Sequence, residues 1–417
     1  MHWILLALLA VFGAPLFAVI ASGAIIGYLQ ADVPLGSIAI EILGVATLPT
    51  LIAIPLFCLA GYVLAESPAP KLLVRLSEAL VGWMPGGLAV FALAVCALFT
   101  AFTGASGVTI IAMGALLYPA LKQARYPQVF SLGLVTTGGS LGLLFAPSLP
   151  LILYGVVSET RIDSLFRAGI LPGLLMIALL SAYCLWVNRS ERQPLASFSW
   201  REVAGAVKAA SWELPLPFIV LGGIYSGYFA ISEAAAVTAL YVLAAEVFIR
   251  RAIPLSRLPG IIRESMTLVG GIMLILAVSL ASTNLMIDAE VPQRLLSVIG
   301  EVVAGPLSFL LALLVFLLIL GAFLDIFSAI VLVVPLILPI AQQFDVHPVH
   351  LGIIFLATMQ LGYLTPPVGL NLFIASYRFG QPIVRVYAAS LPFLLVLFAA
   401  VLLIAFWPAL SLWMIET

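Results

Sequence analysis

The sequence predicts an all-α polytopic membrane protein, organised as an inverted repeat with two re-entrant hairpins and two broken helices. Three observations predict it. Of the 417 residues, 64% are hydrophobic and only 8% are charged, about a third of the ~25% charge of a soluble domain. Apolar runs of about 20 residues recur along the chain, each long enough to cross a bilayer. Proline and glycine punctuation repeats at an offset of about 220 residues: Pro119 with Pro339, Pro127 with Pro348, Gly142 with Gly362, Pro147 with Pro367, and Pro172 with Pro392. The alternating pattern of a membrane β-barrel is absent.

Basic residues order the spans through the positive-inside rule. Span 3–29 runs outward and reads as a retained first span, because no basic leader precedes it. Span 48–66 returns. Residues 83–120 enter and leave on the cytoplasmic face as a hairpin, flanked by Lys71, Arg75, Lys122 and Arg125. Segment 128–156 crosses outward, broken near Gly142 and Pro147. Span 168–188 returns to the largest polar loop, marked by Arg189, Arg192, Arg201 and Lys208. Span 211–230 crosses outward, and 233–249 returns to Arg250, Arg251, Arg257 and Arg263. Span 264–287 runs outward, and 306–340 forms a hairpin from the outer face. Segment 349–376 crosses inward to Arg378 and Arg385, broken at Thr365, Pro366 and Pro367; span 387–410 ends outside. The unpaired span 211–230 inverts the second half. Arg161, Arg167 and Arg294 are the exceptions, leaving fourteen of the 17 basic residues inside. The resulting units are 1–82 (scaffold spans), 83–188 (first hairpin and broken helix), 189–305 (basic loop and scaffold spans) and 306–417 (second hairpin and broken helix).

Net charge is −1, so no basic field points to nucleic acid. Cys58, Cys96 and Cys184 stand singly, without metal-ligand spacing. The i,i+3 pair His347 and His350 lacks a third ligand nearby. No Gly-rich phosphate loop and no nucleophile–His set is present, so no enzyme chemistry and no cofactor are expected.

Chemistry is expected where the helices break. Unpaired backbone at membrane depth is tolerated only when buried in protein or lining a wet cavity. Four stretches qualify: 101–109 (AFTGASGVT), 136–150 (TTGGSLGLLFAPSLP), 321–335 (GAFLDIFSAIVLVVP) and 360–373 (QLGYLTPPVGLNLF). Free carbonyls, hydroxyls and half-helix ends suit Na⁺, and half-helix N-termini suit an anion. Asp325 is the acidic residue set most deeply in an apolar run, as a cation ligand, a half-helix cap or both. Glu233 reads as a helix cap, Glu246 as reaching the interface, and Trp407 and Trp413 as interfacial belt. Asn371, one to two turns past the second break, and Ser148, in the first, are the candidate substrate contacts.

These stretches resemble the large membrane subunit of the tripartite ATP-independent periplasmic (TRAP) transporters. The likeness runs through IAIPLFCLAGYVLAES at 52–67, GWMPGGLA, GASG, SLGLLFAPSLPLILYG, AGILPGLL, SEAAAV, LGAFLDIFSAIVLVVPLILPIA, DVHPVHLGII, LTPPVGLNLFIAS and FWPALSLW. It departs at Ala146-Pro147, where the family has Pro-Pro, at Ile326, where it has Pro, and at the less Ser-rich tip GASGVTI. The resemblance implies Na⁺-coupled import of a small organic anion across the bacterial inner membrane. It implies two partners, a periplasmic binding protein and a small membrane subunit of about four helices. Because the first span begins within three residues of the start, that subunit is expected as a separate chain. The resemblance also implies an elevator: hairpins 83–120 and 306–340 with broken segments 128–156 and 349–376 slide against scaffold spans 3–29, 48–66, 211–249 and 264–287. Two Na⁺ sites follow from the paired tips and breaks, one from Thr103, Ser106, Gly107, Gly138 and Ser140, the other from Asp325, Ser328, Gly362, Thr365 and Pro366. The alternatives are a self-sufficient Na⁺/carboxylate carrier and a channel or structural membrane subunit.

Overall fold

The computed structural model describes residues 14–84, 86–189, 198–294 and 305–415. The start of span 3–29 and the middle of the central loop lie outside the described residues. Within them every regular element is helical. Among the described residues, seven helices are long and apolar enough to cross a membrane, or eight if the bent pair in the first broken segment is one span. The chain is therefore a multi-pass membrane protein.

One group of helices packs around α1 (Leu16–Gln30), α2 (Gly36–Ala46), α3 (Ala53–Glu66), α12 (Ile231–Leu243) and α13 (Leu258–Asp288). Its residues Ala53, Phe57, Cys58, Ala60 and Val63 are fully buried on α3. Small residues at helical spacing let α12 approach closely there. The connection between the expected spans 3–29 and 48–66 contains the helix α2, whose Ile40 and Leu43 are exposed.

The hairpins and broken segments form the second group. The first hairpin is α5 (Gly87–Thr103) and α6 (Ser106–Gln123). The first broken segment is α7 (Gln128–Gly138) and α8 (Leu149–Val157), bent by 43°, and α9 (Ile162–Asn188) follows it. The second half repeats this order with α14 (Pro306–Phe323), α15 (Ile326–Gln343), α16 (Pro348–Gly362), α17 (Leu370–Phe379) and α18 (Ile383–Phe406), every start displaced by about 220 residues. Turns recur too: Arg125 and Asp345 both take left-handed conformations (φ 61° and 59°). Each break holds a cis peptide bond, Ala146–Pro147 and Pro366–Pro367.

The two halves interlock. Helix α7 lies along α18, where a β-carbon on Gly133 would meet Ala389 O at 2.1 Å. Tyr154 of α8 is fully buried against Gly352, and its hydroxyl donates to Pro348 O at 2.7 Å. The second hairpin differs from the first. Its arms scarcely touch each other: α14 packs on α16, and α15 packs on α8 and α13.

Two stretches expected as polar loops are amphipathic helices. The apolar side of α4 (Ala69–Val81) buries Leu73, Val74 and Leu76, and that of α10 (Trp200–Ala209) buries Val203 and Ala206. They pack on each other and carry Lys71, Arg75, Arg201 and Lys208. Their apolar stripes are short, so a span-length window averages them away. Helix α11 (Pro215–Tyr225), a short apolar helix, packs on α12.

Candidate functional site

Each hairpin tip meets the break that follows it. Helix α5 ends at Gly104, in the left-handed region at φ 64°, so two residues suffice to reverse the chain into α6. A β-carbon there would also fall 2.4 Å from Leu149 at the head of α8. Beside the tip, the Thr100 hydroxyl lies 2.9 Å from Gly139 O and 2.8 Å from the Thr109 hydroxyl. Thr103 Oγ1 sits 3.4 Å from Ala105 O and from Thr109 Oγ1. A β-carbon on Gly139 would come 3.2 Å from Ser106 O. Of the first predicted set, Thr103, Ser106, Gly138 and Ser140 are buried and Gly107 is half-buried; Gly138 lies against Cys96 and Ser140 bonds back to Thr137 O at 3.4 Å. Gly107 faces the other half, where a β-carbon would touch Ile374 of α17 at 2.7 Å.

The second tip is built differently. Asp325 caps α15: its carboxylate accepts from Phe327 N at 3.0 Å, Ser328 N at 3.1 Å and the Ser328 hydroxyl. The Tyr363 phenol oxygen accepts from Ile326 N at 2.6 Å, and Gly369 N donates to Ala322 O at 3.1 Å. A β-carbon on Gly362 would lie 2.5 Å from the Gly321 backbone, so only a glycine pair permits that crossing. Thr365 bonds back to Leu361 O at 3.0 Å. Ser328 and Gly362 are buried, Thr365 is half-buried, and Pro366 and Asp325 are exposed.

Asp325, though set deep in an apolar run, is exposed on the protein surface. Helix α14 stops at Phe323, and Leu324 and Asp325 carry the chain out to the surface of the tip. An unbroken apolar run in sequence hides where the helix ends. The deeply buried acid is Glu246, 1% exposed, expected at the interface but held inside by Arg250. The tip's N–H groups are also already taken by Asp325 and Tyr363. By contrast α6, α8 and α17 begin without a side-chain cap.

Both candidate substrate residues are fully buried. The Ser148 hydroxyl at the head of α8 has no hydrogen-bond partner, nor has Oδ1 of Asn371 on the first turn of α17. The Asn371 amide nitrogen is 3.5 Å from Thr136 O, and the neighbouring Thr137 hydroxyl is likewise unpartnered. Each such group costs about 1–3 kcal/mol unless something occupies it. Sequence reading missed Thr100, Thr109, Thr137 and Tyr363. The only signal for them was their nearness to the breaks.

Other singled-out residues have structural tasks. Glu233 accepts from Ala230 N at 2.9 Å as a cap. His347 accepts from Val349 N at 3.2 Å as the cap of α16, and buried His350 lies 3.0 Å from Ser411 Oγ and 3.3 Å from Ala405 O. Trp407 and Trp413 are exposed, and the three cysteines are buried and unpaired. A cleft of about 440 Å³ separates α3 and α4 from α6, with Tyr62, Lys71, Ala112, Glu264 and Arg378 among its walls.

The family model described as "Tripartite ATP-independent periplasmic transporter, DctM component" matches residues 2–410. The chain belongs to the DctM family of TRAP transporters. This DctM-family chain is 36% identical over 392 residues to the C4-dicarboxylate TRAP transporter large permease protein DctM of Pseudomonas aeruginosa, covering 94% of this chain and 92% of that one. It is 32% identical over 412 residues to the ectoine TRAP transporter large permease protein TeaC of Halomonas elongata, covering 97% and 96%. The isethionate TRAP transporter permease protein DctMQ of Oleidesulfovibrio alaskensis is 31% identical over 413 residues; the match takes in 97% of this chain but 64% of that longer protein. In fold, the chain is similar to the crystal structure of the Alcanivorax borkumensis YdaH transporter, described as having an unusual topology. The TM-score is 0.62 at 13% identity, over 89% of this chain and 87% of that one.

Proposed function

We propose that this DctM-family permease imports a small organic anion across the bacterial inner membrane, driven by Na⁺, with the substrate delivered by a periplasmic binding protein. The observation that carries the reading is the pairing of a hairpin tip with a helix break in each half, at one offset. Such pairs bring carbonyls, hydroxyls and free helix ends together between repeats, as secondary carriers require.

Na⁺ takes hard oxygen ligands. In the first half these come from Thr103, Ser106, Gly107, Gly138 and Ser140; in the second, from Asp325, Ser328, Gly362, Thr365 and Pro366. The Asp325 carboxylate has about four lone-pair sites, and its three hydrogen bonds leave one for a cation. The anion contacts Ser148 and Asn371, at the uncapped heads of α8 and α17. Helix N-termini stabilise negative charge there.

The halves are inverted in the membrane, and the interlocked hairpin group slides as an elevator against α1, α3, α11, α12 and α13. The cleft between α3 and α6, with Lys71, Glu264 and Arg378 on its walls, supports a movable seam. The partner membrane subunit is a separate small chain on the scaffold side, while the exposed apolar residues elsewhere meet lipid. The names of the relatives span a dicarboxylate, ectoine and isethionate, so the tripartite mode is the common property and the substrate is set locally.

The test is uptake in proteoliposomes. The permease, the small subunit and the loaded binding protein together should accumulate substrate only with an inward Na⁺ gradient. The permease alone should not. Uptake of free substrate by this chain alone would establish the self-sufficient carrier, and uptake indifferent to Na⁺ would remove the coupling.

A further inference from the structure

Where the first hairpin meets the scaffold, one cluster of charges has no role in the sites above. Glu213, just before α11, and Glu246 both bond to the same nitrogen, Nη1 of Arg250. Their side chains are 5% and 1% exposed, while that of Arg250 is 20% exposed. The two carboxyl groups also lie within interaction range of each other. Each keeps its second oxygen, Oε2, buried and without a partner.

Counting charge, two carboxylates face one guanidinium. Among the residues that line the cavity at Glu213 there is no second cation. Tyr241, on the same helix as Glu246, spends its hydroxyl on Trp212 O at 2.9 Å. The elements packed against Glu213 present Leu64 of α3, Leu73 of α4, and Phe99 and Phe102 of α5. Together with Glu213 these enclose a cavity of about 30 Å³, in which Thr103 is the other polar residue and makes no hydrogen bond to Glu213. A cavity needs at least about 10–15 Å³ to hold a water. The helix under Glu246 is also unusual: residues Ala244–Ile249 form a π-helical turn. Such turns are rare and concentrate at functional sites.

An isolated buried carboxylate costs several kcal/mol, and two carboxylates in reach of each other do not both ionise readily. We propose that Glu213 and Glu246 hold one proton between them at neutral pH, clamped by Arg250, as a proton-binding site at the seam between scaffold and first hairpin. The proton comes from water on the side where the Arg250 side chain is partly exposed. It leaves by the same route when the seam opens and lets water solvate both carboxylates. The inference stands on this geometry and does not depend on the Na⁺ reading of transport.

The experiment is infrared difference spectroscopy of the purified chain in lipid, titrated from mildly acidic to alkaline pH in H₂O and D₂O. Wild type should show a carboxylic-acid band at neutral pH that is lost on alkalinisation. E246Q and E213Q should each abolish it, because the remaining carboxylate pairs with Arg250 as an ion. Thermal stability supplies a second readout. The proton is held more tightly in the folded state, so wild-type stability should be full at low pH and fall as pH rises and the proton leaves. E246Q should stay flat over that window. An acid band unchanged in both variants, or no band in folded wild type at neutral pH, overturns the proposal. So does a band displaced by Na⁺ at fixed pH, which would assign the pocket to a metal cation.

Discussion

Asparagine at position 325 separates the two jobs given to Asp325. As a cap, the carboxylate takes Phe327 N at 3.0 Å and Ser328 N at 3.1 Å on one oxygen and the Ser328 hydroxyl on the other. Asparagine keeps a carbonyl oxygen for both backbone bonds, and its NH₂ donates to the serine oxygen instead. Asn and Asp rank equally at this position of a helix, so Asp325→Asn should alter stability by no more than about 0.5 kcal/mol, against about 0.5–2 kcal/mol for Asp325→Ala. As a cation ligand, asparagine loses the full charge. A loss of about 1 kcal/mol is expected, roughly fivefold in apparent Na⁺ affinity. The assay is Na⁺ activation of uptake in the three-component proteoliposome, with thermal unfolding of the same preparations alongside. Wild-type Na⁺ activation in Asp325→Asn would remove Asp325 from the cation site. Unfolding of Asp325→Asn, with Asp325→Ala no worse, would refute the cap.

Four further outcomes are expected. Ala124 and Phe344 end the equivalent hairpin arms α6 and α15; in a background without native cysteines, Ala124→Cys should label only from the cytoplasm and Phe344→Cys only from outside. Labelling from one side would end the inverted repeat. Gly133→Ala should destabilise the α7–α18 contact by about 1–3 kcal/mol, because its β-carbon would meet Ala389 O at 2.1 Å. Gly222→Ala on α11, with nothing within 4 Å, should be neutral or slightly stabilising in the same unfolding assay. Tyr154→Phe removes the hydroxyl that joins α8 to Pro348 O, and should lower stability by about 1 kcal/mol without abolishing membrane insertion.

What the sequence determined by itself is the class, the family and the places where helices break. Those properties are local and additive. Span-length apolar runs, glycine and proline at a fixed offset, and stretches such as GASGVT and LTPPVGLN each announce themselves without reference to their neighbours in space. The breaks at Gly104, Pro147, Asp325 and Pro366 fall where the punctuation put them. Depth and partnership were decided only by the tertiary structure. Asp325 lay in an apolar run and turned out exposed; Glu246 lay near a span end and turned out buried against Arg250 and Glu213. Tyr363 took the N–H of Ile326, and Asn371 reached Thr136 across the two halves. The amphipathic helices α4 and α10 needed each other before their short stripes had a surface to cover. Burial and hydrogen bonding depend on which distant segments the chain brings together, and a one-dimensional pattern records only which residues can be buried.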